Sequence, residues 1–109
     1  MSWTLTPTVF FDRRVRKFMT KHPDLRPHLV ETMTQLRADP FEPGLRLHPL
    51  TGKLQGMQAV SLTYSYRIAL TLQITEHEIL LLDIGSHDEV YQLFGDELKT
   101  VRRSQQNQV

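Results

Sequence analysis

A chain of 109 residues, 39% hydrophobic and 23% charged, has the length and composition of one small globular domain and leaves little room for a second. A formal net charge of +1 neither demands nor forbids an anionic partner. The lack of cysteine excludes disulfides, a thiol nucleophile and cysteine-based zinc sites.

The N-terminus, MSWTLTPTVFFDRRVRKF, lacks the apolar core of a signal peptide, and no stretch approaches the length of a membrane span. The expectation is a soluble, cytoplasmic protein. Trp3 to Leu5 alternates and predicts a short edge strand, after which Pro7 or Thr8 opens a helix. Phe11, Val15, Phe18 and Met19 form the apolar stripe of that helix, and Arg13, Arg14, Arg16, Lys17 and Lys21 fill the rest. His22-Pro23-Asp24 interrupts it. A second helix follows with Asp24 as N-cap and a stripe of Leu25, Leu29, Met33 and Leu36, ending near Ala38-Asp39-Pro40.

FEPGLRLHPLTGKLQGMQ reads as extended chain with tight turns rather than a regular element. Beyond it the period changes to two. Val60 and Leu62 suggest a strand, and Thr63-Tyr64-Ser65 a turn. Tyr66, Ile68, Leu70, Leu72 and Ile74 then alternate with Arg67, Ala69, Thr71, Gln73 and Thr75 as a half-buried strand. After a turn at Thr75 to Glu78, the apolar run Ile79–Ile84 predicts an interior strand. Residues 88–103 read as a terminal helix, acidic at its start and basic at its end, and residues 104–109 as a polar tail. The prediction is a single α+β domain over residues 1–103: an N-terminal strand and two helices packed on an antiparallel sheet, with a C-terminal helix.

Few residues stand out chemically. Arg67 lies on the strand face opposite Tyr66, Ile68 and Leu70. It is either a solvated arginine or an anion clamp whose guanidinium fork matches phosphate oxygens. His87 closes DIGSH, sharing the parity of Asp83 and Gly85 opposite Leu80, Leu82 and Ile84. It is a surface residue or a proton-transfer group with Gly85 leaving room for a ligand. Tyr91, one helical turn on, packs the terminal helix or shares that pocket. His48 falls in the turn-rich segment with Arg46 and Lys53. His22, His28 and His77 carry no assigned role. No HExxH, GxSxG or GxxxxGK[ST] pattern occurs, and neither metal nor cofactor is expected.

The order of elements, together with His48-Pro-Leu-Thr-Gly-Lys-Leu-Gln-Gly56, Tyr64-Ser-Tyr-Arg-Ile68 and Ile84-Gly-Ser-His-Asp-Glu-Val-Tyr91, resembles the RelE/ParE superfamily, the small toxins of bacterial type II toxin–antitoxin systems. The likeness spans nearly the whole chain. It is most specific in Leu50, Gly52 and Gly56 before the sheet and in the late Gly-x-His, and it is greatest to the YafQ-like branch. That branch implies a ribosome-dependent, metal-independent endoribonuclease that cuts mRNA in the A site, through attack of a ribose 2′-OH on the adjacent phosphate. The resemblance makes His87, His48, Arg67 and Tyr91 the catalytic candidates. The basic residues Arg46, Lys53, Arg13, Arg14 and Lys17 offer one RNA-binding side. Ser61 and Ser65 depart from the branch, which carries a histidine and an aspartate there. The implied partners are an antitoxin, docking near Trp3 and the helices, and the ribosome with its mRNA. The same fold also fits a ParE-type DNA gyrase inhibitor without chemistry of its own, or an inert antitoxin-binding relative.

Overall fold

The computed structural model describes residues 2–86 and Val90. The predicted terminal helix and tail, and with them His87 and Tyr91, lie outside the described residues. Strand β1 (Thr4–Pro7) leads into helix α1 (Val9–Lys21), a 3-10 turn (Pro23–Leu25) and helix α2 (Arg26–Ala38). A second 3-10 turn (Pro43–Leu45) precedes β2 (His48–Pro49), and a third (Gly52–Leu54) precedes β3 (Gln58–Ser61). Strands β4 (Tyr66–Gln73) and β5 (Glu78–Ser86) follow. Among the described residues no helix is long and apolar enough to cross a membrane.

Thr8 starts α1 in the predicted place. Its extended backbone turns the side chain inward, and Oγ1 accepts from the Phe11 N–H at 3.1 Å while donating to the Leu81 carbonyl at 2.9 Å. Asp24, in contrast, does not cap α2. Proline at position 23 opens a 3-10 turn, Asp24 sits inside it, and α2 begins at Arg26 with no side-chain cap. The strand expected over 66–75 stops at Gln73, which leaves Ile74 in the turn and 56% exposed.

The five strands run in the order β1-β5-β4-β3-β2. The last four pair antiparallel, as the alternation predicts, but β1 joins β5 in parallel, so the sheet is mixed. Helix α1 supplies the return path after β1. The apolar run is indeed interior: β5 lies between β1 and β4. β2 is an edge strand that the Pro- and Gly-rich sequence did not announce, since proline at position 49 reads as loop.

Both sheet faces are covered. On one, Phe11, Phe18 and Leu36 of the helices pack against Val60, Ile68, Leu70, Ile79, Leu81 and Ile84. On the other, Leu50, Leu54 and Met57 lie over Ala59 and Ala69. The supposed polar face of β4 is therefore closed at Ala69, which is fully buried. Two alanines opposite each other in the ladder leave the depth that Leu54 fills. A β-bulge lets Ala69 pair with Asp83 and Leu70 with Leu81, so Leu82 is the extra residue. The bulge breaks the parity read from sequence. Leu81 and Ile84, three residues apart, both join the helix-side core, and Leu82 packs against the other cluster.

Candidate functional site

Register builds the site. His48 of β2 is opposite Ala59, Ala59 is opposite Ala69, and one pleat along on the same face Ser61 is opposite Arg67. Because partners across a ladder share a face, two residues 19 apart in sequence meet there: His48 Nε2 lies 3.5 Å from Arg67 Nη1. Gly85 is the partner of Arg67 on its other side.

Arg46 sets the orientation of His48. Its backbone takes the left-handed conformation, φ 55°, and its carbonyl oxygen lies 2.8 Å from Nδ1 of His48. A carbonyl only accepts, so Nδ1 is the protonated nitrogen in this arrangement, and in the neutral ring Nε2 keeps the lone pair. That lone pair faces the Arg67 guanidinium. The geometry thus holds a proton acceptor and a permanent cation side by side.

Both residues line an open depression of about 1170 Å³ with Arg46, Ser61, Thr63 and Tyr64. Tyr64 is fully exposed at its margin. Tyr64 falls in the turn predicted at Thr63-Tyr64-Ser65. The usable signal was an aromatic ring in a polar turn where no core position calls for one.

The other basic candidates separate. Arg14 is not free surface charge: its Nε donates to Asp83 Oδ1 at 2.7 Å, Asp83 is fully buried and the Arg14 side chain is 17% exposed. Arg14 is instead an ion-pair partner that ties α1 to β5. Arg13 is exposed and lies over the Phe10 ring, 5.7 Å from its centroid. Lys17 borders a second, smaller depression with Lys21, His22 and Tyr66. Tyr66 and Arg67 are successive strand residues and point to opposite faces, so this second depression and the His48–Arg67 site do not form one basic side. Lys53 belongs to the turn Gly52–Leu54. Trp3, expected as a docking point, is 8% exposed and packs its ring against Phe41 and His77. β1 is at a sheet edge as predicted, but Trp3, the residue before it, is buried.

No family model and no curated protein sequence matches the chain. Solved structures do. YafQ from E. coli superposes with a TM-score of 0.69 at 16% identity, covering 82% of this chain and 98% of that one. The E. coli DinJ–YafQ toxin–antitoxin complex gives 0.68 at 16% identity, over 84% and 99%. A YoeB/ParE toxin from Agrobacterium tumefaciens gives 0.64 at 13% identity, over 77% and 98%. The fold is that of these toxins, YafQ among them, as the resemblance implied.

Proposed function

We propose that this chain is the toxin of a type II toxin–antitoxin pair and acts in the cytoplasm as a ribosome-dependent, metal-independent endoribonuclease that cuts mRNA in the A site and stops translation. The observation that carries the reading is the His48–Arg67 pair, with Nδ1 of His48 anchored on the Arg46 carbonyl and Nε2 turned to the guanidinium. Three demands of the reaction are separable. The 2′-OH must lose a proton, the phosphorane gains negative charge, and the departing 5′-oxygen must gain a proton. His48 Nε2 takes the first proton as the 2′-oxygen bonds to phosphorus. Arg67 and Arg46 face the phosphoryl charge. The P–O5′ bond breaks, and His87 protonates the leaving oxygen. The products are a 2′,3′-cyclic phosphate and a free 5′-OH.

Tyr64, exposed at the margin, offers a face on which a neighbouring base stacks, the role the resemblance gives to Tyr91. The antitoxin partner follows from the same reading, since a fold found in a toxin–antitoxin complex with a reactive face needs a cover in the cell that makes it.

The test adds purified protein to a translating cell-free system and maps mRNA 5′ ends, with His48→Ala, Arg67→Ala and His87→Ala in parallel. Codon-phased cuts that need ribosomes should fall by roughly 10²–10⁴-fold in the histidine variants and roughly 10²–10³-fold in Arg67→Ala. Intact message from folded wild-type protein would refute the reading, and a gyrase supercoiling assay would then test the non-enzymatic alternative.

A further inference from the structure

A further cleft, of about 220 Å³, opens between α2 and the end of β3. It shares Gly44, Ser61 and Leu62 with the His48–Arg67 depression, so the two adjoin. Their linings differ in charge. The first presents Arg46, His48 and Arg67. The second presents His28, Glu31, Thr32 and Gln35, and among the described residues no lysine or arginine lines it.

These four residues stand at i, i+3, i+4 and i+7 of α2, one face of the helix. The apolar face beside it, Leu29, Met33 and Leu36, packs into the core. α2 is therefore held by one stripe while the neighbouring polar stripe borders the cleft. Thr32 is 6% exposed, so the floor of this stripe is desolvated while Glu31 is open to solvent. A cleft with a carboxylate and no cation repels a phosphate, yet it adjoins the place where a phosphate belongs.

We propose that this cleft is a nucleobase subsite: it takes the base next to the phosphate held at His48 and Arg67, and Glu31 with Gln35 selects bases that present an exocyclic amine. The inference rests on the RNA-cleaving reading and adds a specificity to it. A carboxylate only accepts hydrogen bonds. It matches the amine of adenine or cytosine, and the adjacent N1–H and N2 amine of guanine in bidentate fashion. Uracil has no amine, and its single N–H is flanked by two carbonyl oxygens that oppose the carboxylate. Gln35 both donates and accepts, so it supports several bases while Glu31 discriminates. Ser61, common to both chambers, lies where base and phosphate of one nucleotide would meet.

The experiment uses 2′-O-methyl dinucleotides GpG, ApA, CpC and UpU, which cannot be cleaved, titrated into the folded full chain and followed by amide chemical shifts. Shifts should appear at residues 28–35 and 46–48 together, with UpU binding weaker by on the order of tenfold. Glu31→Gln should erase most of that difference, because an amide can donate to uracil as well. Shifts at 46–48 without shifts at 28–35 overturn the subsite and leave the phosphate site standing. Shifts at both places with no preference against UpU overturn the selection. Shifts nowhere overturn the subsite, while the RNA-cleaving reading stands or falls on the cuts in the translating system. In the translating system, codon-phased cuts by Glu31→Gln with an unchanged base preference would overturn the role of Glu31 independently.

Discussion

Replacing Arg14 by methionine removes one half of a buried ion pair and keeps most of the side chain's volume. The pair is tight and dry: Nε to Oδ1 is 2.7 Å, Asp83 is fully buried, and the Arg14 side chain is 17% exposed. Asp83 Oδ1 also accepts from the Ile84 N–H at 2.8 Å, so in Arg14→Met the carboxylate keeps that dipolar partner and loses the charge of Arg14. Breaking such a pair from one side costs about 3–5 kcal/mol, a large share of the roughly 5–15 kcal/mol that holds a domain of this kind together. Asp83→Asn should cost less, since an amide oxygen can still accept from Ile84 and Arg14. The double variant Arg14→Met, Asp83→Asn should recover part of the loss, because the buried carboxylate is no longer charged without Arg14 beside it. Urea unfolding monitored by Trp3, the single tryptophan and a buried one, reads all three if the denaturant slope stays unchanged. Arg14→Met within about 1 kcal/mol of wild type would refute the structural role and return Arg14 to the RNA-binding candidates.

Gly52 has φ +66°, and a Cβ built there meets nothing within 4 Å. Gly52→Ala should therefore cost only the left-handed backbone penalty, about 1–2 kcal/mol, with Gly52→Asn milder, as the same urea titration would show. Tyr64→Ala removes a fully exposed ring. Stability should stay within about 0.5 kcal/mol of wild type while cleavage at limiting ribosome-bound message falls, by a factor set by about 1–3 kcal/mol per stacked base. Unchanged cleavage would remove Tyr64 from the site.

The helices and the long strands were legible because their periodicity follows from burial: Phe11 and Phe18 repeat at helical spacing and Ile68 and Leu70 at strand spacing, and all four are buried. Three things were not. Register is a long-range property, so nothing local in HPLTGKLQG says that His48 starts an edge strand opposite Ala59. The bulge at Leu82 comes from pairing with β4, and a run apolar at nearly every position gives no sign of where parity breaks. The fate of Arg14 depends on Asp83, 69 residues away, whereas its immediate neighbours Arg13, Arg16 and Lys17 read as one uniform basic face. Arg67 and His48 were singled out by residue type and resemblance. Their meeting, and the tautomer fixed by Arg46, needed the fold.

In the proposed cleavage, the division of labour at the site follows from what each side chain can do with a proton. Arg67 stays charged throughout and transfers none. Ser61, its ladder partner in β3, can hydrogen-bond a phosphate or ribose oxygen, but an unactivated hydroxyl is too weak a base to deprotonate another near neutral pH. On this wall the proton-accepting role therefore falls to His48, whose Nδ1 is already committed to the Arg46 carbonyl. A cleavage reaction needs a second proton-transfer group on the far side of the phosphate, in line with the departing oxygen. On that side Arg67 is opposite Gly85, and His87 comes two residues later in the sequence. Gly85 itself adds no side chain beside the guanidinium. On the proposed RNA-cleaving reading, serine at 61 does not remove the chemistry. It leaves proton transfer in that reaction to His48 and His87 and the charge to Arg67.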